Sequence, residues 1–434
     1  MTDHPICQSV FEKAFPASAD AEVVRAVTEG VLLADDLQER RREEVLLRSA
    51  AMSRDNSGGA SRAPTRPIPE RIKEAREARG ISLEMMAEVL DVSPQAVAQY
   101  ETGQISPSGD AMAKIIGVTA QPHAFFTTPK ANRAGAIRPF WRSLKRMDQI
   151  HRRRIARRLQ WSYDIASYAE KFIELPAANL PHVEFKFDLD DEDESIERAA
   201  EAVRDHWGLA RNPIRDVSHL LESHGIILVR ESVDCPDMDA VSCWQGGRPF
   251  VLYSADVSSG PRVSYNLAHE LGHIVLHAGV EVTDKNIDRI ERQADRFAGA
   301  FLLPRERFSR EVLGTSMSYF TSLKGRWGVS IAAMGYRAKE LGIFNANQYS
   351  YLMRQMNAQR ARVVEPLDDA FPSSPPSILA ESIRMLIDHG VQTRDQVEGA
   401  LAMNLRDVEQ LCGVPEGYLD VRVVPMRFKP TNDA

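Results

Sequence analysis

Cysteine is scarce in these 434 residues: Cys7, Cys235, Cys243 and Cys412 stand far apart and form no C-x-x-C pair. That excludes a disulfide framework and a cysteine-type zinc site, and it suits a reducing compartment. Long apolar runs are missing too. No stretch approaches the ~18 residues that a membrane-spanning helix needs, and the opening MTDHPICQSV lacks the charged-then-apolar pattern of a secretion signal. The expectation is a cytoplasmic protein with no membrane contact. No internal repeat is evident. What is present, 43% hydrophobic and 26% charged residues, is a globular composition, and the length calls for several domains.

Positive charge is in deficit overall, at a net −7, yet its distribution is split. Arg66 to Gln160 holds 17 Lys/Arg against 9 Asp/Glu, whereas Pro181 to Asp205 holds 10 acids against 3 bases. A basic block inside an acidic chain points to a local polyanion site or to a solvated helix surface, HRRRIARR (His151–Arg158) being the densest part.

Periodicity and breakers predict an α+β chain, mostly α, in several domains. Residues 1–66 read as a helical extension followed by a flexible linker, SRDNSGGASRAPTRP at Ser53–Pro67. Residues 67–130 form a run of five short helices. A basic helical connector at 131–180 contains a long helix from about Lys145 to Phe172. Residues 181–314 mix helices with a small sheet. The acidic Asp188–Glu194 reads as a loop, ERAAEAVRDHWG as a helix, and GIILVR, AVSCW and PFVLYS as strands. Residues 315–434 read as helical, broken at PLDDAFPSSPPS (Pro366–Ser377).

Within the five-helix segment, a first helix from about Pro69 to Arg79 stops at Gly80. Ser82 caps a second that reaches Leu90, and Asp91-Val92 turns the chain. Ser93 then caps a third helix with Pro94 in its first turn. That is a helix-turn-helix, with Ile72, Met86, Ala87, Leu90, Val92, Val97 and Tyr100 as its core. Ser93, Gln95, Ala96 and Gln99 would face outward, where glutamine can bond adenine edges in double-stranded DNA. RIKEAREARGIS, LEMMAEVLDVS and QAVAQYETG resemble the lambda-repressor/Cro-like (XRE) family. The resemblance implies an ion pair between Arg76 and Glu101. Leu83 departs from it, standing where many members have a glutamine that contacts the DNA backbone, and so does Pro94, where a polar or basic residue is common. The two-fold logic of such readers leads us to expect a homodimer.

The most telling five residues are His269-Glu270-Leu271-Gly272-His273, an H-E-x-x-H on the helical pattern YNLAHELGHIVLHAG. Positions i and i+4 share a helix face, so His269 and His273 can offer two imidazoles to one metal ion, with Glu270 beside it as a base. The third ligand expected is Glu291, on the amphipathic IDRIERQADRFAGAFLLP. Asp295, four residues on, can accept the outer N–H of a ligand histidine, and His277 is placed behind the ligands or in packing. Tyr265 is near in sequence, but the donor for an oxyanion stays open.

HELGHIVLH followed by ERQADRFAGAFLLP is similar to the ImmA/IrrE family of metallo-endopeptidases. That similarity implies a zincin-like domain with Zn2+ held by His269, His273 and Glu291, and with Glu270 as general base. It also implies a protein substrate, often an XRE-type repressor. The combined expectation is a DNA-binding transcriptional regulator carrying a zinc endopeptidase. It would cleave a repressor, another regulatory protein or itself, in a stress, toxin–antitoxin or phage-type response. The alternative is a metal- or ligand-sensing transcription factor whose zincin domain does not cleave.

Overall fold

The computed structural model describes residues 66–129, 149–185, 192–232, 238–359, 361 and 364–419. The expected N-terminal helices, most of the linker at 53–67, and residues 131–148 of the connector lie outside them. The described part is mostly helical around one small sheet, as its composition and periodicity predict.

Five short helices come first: α1 (Pro69–Ala78), α2 (Leu83–Leu90), α3 (Pro94–Thr102), α4 (Gly109–Thr119) and α5 (His123–Thr127). Their boundaries follow from local chemistry. Ser82 accepts a hydrogen bond from Met85 N at 3.1 Å, and Ser93 one from Ala96 N at 3.2 Å, each satisfying a donor that the first turn leaves open. Asp91 ends α2 in the left-handed region at φ 57°. Ile72, Met86, Ala87, Leu90 and Val97 are buried beneath, with Val92 and Tyr100 packed against them half-buried.

The connector helix α6 (Gln149–Ala169) follows, then α7 (Glu192–His206) and α8 (Val217–Ser223). The acidic stretch expected as a loop is therefore helical from Glu192. Carboxylates in a first turn suit the positive end of a helix, which composition alone does not reveal. Three strands form the sheet: β1 (Ile227–Glu231), β2 (Ala240–Gln245) and β3 (Arg248–Ser254), in the order β1-β3-β2. β1 runs parallel to β3, and β2 antiparallel to it, with Ser242 opposite Val251.

This sheet is a wall between two cores. Ile227, Val229, Val241, Cys243, Phe250 and Leu252 point into one, shared with α1–α6 and the C-terminal helices. The alternate residues Leu228, Val251 and Tyr253 point into the other. Burial on both faces explains why these strands read as continuous apolar runs.

The second core is built on α9 (Gly260–Leu276) and α10 (Ile287–Leu302), with α11 (Arg305–Glu311), α12 (Met317–Trp327), α13 (Ile331–Glu340) and α14 (Ala346–Ala358) around them. A strap at 364–377 then crosses the start of α9. Any Cβ on Gly260 would lie 1.9 Å from the carbonyl oxygen of Phe371, so only glycine fits. Last come α15 (Ile378–Asp388), α16 (Arg394–Leu401) and α17 (Leu405–Cys412), which return to the first core. Among the described residues, no helix is long and apolar enough to cross a membrane.

Candidate metal centre and nucleic-acid reading helix

α9 and α10 cross closely where α9 has no side chain. A Cβ on Gly272 would stand 3.2 Å from Ala294 Cα and from Phe297. The crossing brings three expected residues together. His269 Nε2 lies 3.3 Å from Glu291 Oε2, His273 Nε2 lies 3.5 Å from Glu291 Oε1, and the two imidazole Nε2 atoms are 3.1 Å apart. One ligand atom from each of the three lies within 4.8 Å of the others. Two neutral nitrogens and a carboxylate oxygen on one side are the donor set of a three-ligand catalytic zinc site, so the residues fit the metal.

The atoms behind these three residues are equally specific. His269 Nδ1 is 2.8 Å from Asp295 Oδ1, which fixes the ring and leaves Nε2 facing inward. His273 Nδ1 meets His277 Nδ1 at 3.1 Å, and His277 Nε2 meets Gln293 Oε1 at 2.8 Å. His277 thus sits behind His273, on the far side from Glu291. Burial alone would pull the His269 imidazole down. The Asp295 and Glu291 carboxylates outweigh it and push the ring up to about 10. Protons and a metal ion compete for the same nitrogen.

Glu270 is buried, and its Oε2 accepts a 2.6 Å hydrogen bond from Ser242 Oγ on β2. Ser242 is the residue that sequence reasoning missed; its only signal is a hydroxyl in the otherwise apolar AVSCW, on the strand face opposite Val241 and Cys243. Tyr265 directs its hydroxyl to the backbone oxygen of Asp295 at 3.3 Å. If Ser242 fixes the rotamer of Glu270, Ser242→Ala will lower kcat about tenfold and leave KM and metal content unchanged. Steady-state kinetics beside metal analysis checks this, and an unchanged kcat refutes it.

In the helix-turn-helix, Ser93 and Gln95 are exposed while Ala96 and Gln99 are half-buried on the same outward side of α3. Arg76 and Glu101 form a buried two-pronged pair at 2.5 and 2.8 Å, tying α1 to the end of α3. No Lys or Arg occurs from Gly80 to Ala113, and Glu84, Glu88 and Asp91 are exposed there. The basic run on α6 supplies less open charge than its sequence suggests, although Arg153 stays exposed. Arg157 bonds Glu77 at 2.8 Å, Arg153 stands 3.8 Å from the same carboxylate, and Arg158 is buried between Glu231 and Asp407. The polyanion reading of HRRRIARR is corrected to this extent: distant carboxylates turn part of the run inward.

Residues 221–339 match the family model of the IrrE N-terminal-like domain, Peptidase M78. This match begins in α8, includes the sheet, α9 and α10, and ends in α13. Residues 72–124 match the Helix-turn-helix family model, which covers α1 to the start of α5. No curated protein matches the chain. The chain therefore joins a DNA-binding type of helix-turn-helix domain to a domain of a peptidase family, the pairing that its motifs resemble.

Proposed function

We propose that this protein is a DNA-binding transcriptional regulator whose IrrE-like domain is a zinc-dependent endopeptidase. One observation carries the reading: His269, His273 and Glu291 converge beside a buried Glu270 that is anchored from the sheet. Zinc held by those three residues supplies a Lewis acid at the scissile carbonyl. Asp295 keeps His269 in the tautomer a ligand needs. Glu270 takes the proton of the attacking water and hands it to the leaving amine.

β2 holds Glu270 in place through Ser242. The peptidase-family match suits a protein substrate, and the partner domain suits a regulatory one: a repressor, another regulator, or a second copy of this chain. α3 would present Ser93, Gln95, Ala96 and Gln99 to base edges, and a cytoplasmic homodimer in a stress-type response fits such a reader. The short supply of basic residues on α2 and α3 assigns phosphate contacts to other parts of the chain, for which the sequence offers Lys130, Arg133, Arg138, Arg142, Lys145 and Arg146.

The test is metal content. The purified chain is expected to hold about one zinc per molecule, and His269→Ala to lose most of it, because two remaining ligands bind far more weakly. Equal zinc in both proteins would remove the site.

A further inference from the structure

Neither family model reaches beyond Lys339, so nothing in them accounts for α15–α17. We propose that these helices are a clamp: through Asp407 on α17 they lock the helix-turn-helix domain to the sheet of the metal domain, so that the two behave as one mechanical unit.

Asp407 stands where three parts of the chain meet. Arg79, at the end of α1, grips it with both terminal nitrogens at 2.8 and 2.7 Å. Gln121, just after α4, donates to Oδ2 at 2.6 Å. Arg158 of α6 donates to Oδ1 at 2.6 Å, and its Nε reaches Glu231 of β1 at 2.7 Å. Asn404 adds two bonds back to the reading domain, to Gln121 Oε1 at 3.0 Å and to the Ala120 carbonyl. The side chains of Asp407 and Arg158 are each 2% exposed.

Two guanidinium groups face two carboxylates, so the junction is neutral only when all four are in place. Removing Asp407 leaves Arg158 with Glu231 alone and Arg79 without its carboxylate, so this one side chain holds the junction together. Glu231 lies on the sheet face shared with Ile227 and Val229, whereas Ser242 and Glu270 lie on the other. The wall that positions the candidate base is therefore pinned, from behind, to the first helix of the DNA reader. A displacement of the sheet has a contiguous route through Arg158 and Asp407 to Arg79.

Hydrogen exchange on the full chain tests this. Asp407→Ala should raise exchange in α1 and α4 at least tenfold and leave α9 and α10 unchanged, because the partners of Asp407 lie at the end of α1, after α4 and on α6, and none on α9 or α10. Asp407→Asn, which keeps the side chain's shape and removes its charge, should do the same to a smaller degree and carries the test alone if Asp407→Ala does not fold. Unchanged exchange in α1 and α4, or an equal rise in α9 and α10, would overturn the proposal.

Discussion

Glu270→Gln is expected to lower the rate of peptide-bond cleavage about 10²–10⁴-fold while zinc content stays at the wild-type level. The amide has the same shape and can still accept the Ser242 hydrogen bond, so the side chain keeps its place beside His269 and His273. What it loses is the ability to take a proton from the attacking water. The measurement is product formation from candidate repressor proteins, read by mass spectrometry of the new termini. Equal product from both proteins would assign the cleavage to a contaminant and leave the metal domain as a sensor. Combining the exchange with Ser242→Ala should add no further loss, because the serine acts only through the carboxylate.

Much of this site is legible in the sequence, for reasons of covalent geometry. Helical spacing alone puts His269 and His273 on one face. A second amphipathic helix nearby makes Glu291 the candidate third ligand and places Asp295 one turn on. The caps at Ser82 and Ser93 are local signals too, and the reading domain follows from them. Contacts made across the fold are another matter. Ser242 is 28 residues from Glu270, and nothing in a short strand says which helix its hydroxyl will face. The α6 arginines look like a solvated or polyanion surface because their partners Glu231 and Asp407 lie 73 and 249 residues from Arg158. The strands' continuous apolar run announces burial but cannot say that two separate cores bury them.

The second large effect concerns stability. Arg337→Met should cost about 3 kcal/mol, whereas Arg310→Ala should cost no more than about 0.5 kcal/mol. Both remove an arginine from an ion pair, and burial decides between them. Arg337 is 1% exposed and clasps Glu197 through two bonds of 2.6 Å, with a third bond to the Leu303 carbonyl at 3.2 Å. Burial alone would raise the Glu197 carboxyl; the Arg337 guanidinium, helped by Arg296 and Arg305, holds it below its ordinary value. Without Arg337, that carboxylate keeps, among the described residues, Arg296 at 3.3 Å and Arg305 at 4.0 Å, which places the loss at the lower end of the range for a broken buried pair. Arg310 is 76% exposed and pairs with Glu306 one turn away, so water replaces its partner at little cost. Urea unfolding of the metal-free variants compares the two directly, and equal midpoints would refute the ranking. Glu197 and Arg337 brace α7 and α13 against α10, the helix that carries Glu291 and Asp295. The same substitution should therefore weaken zinc retention, although neither residue lies among the proposed ligands.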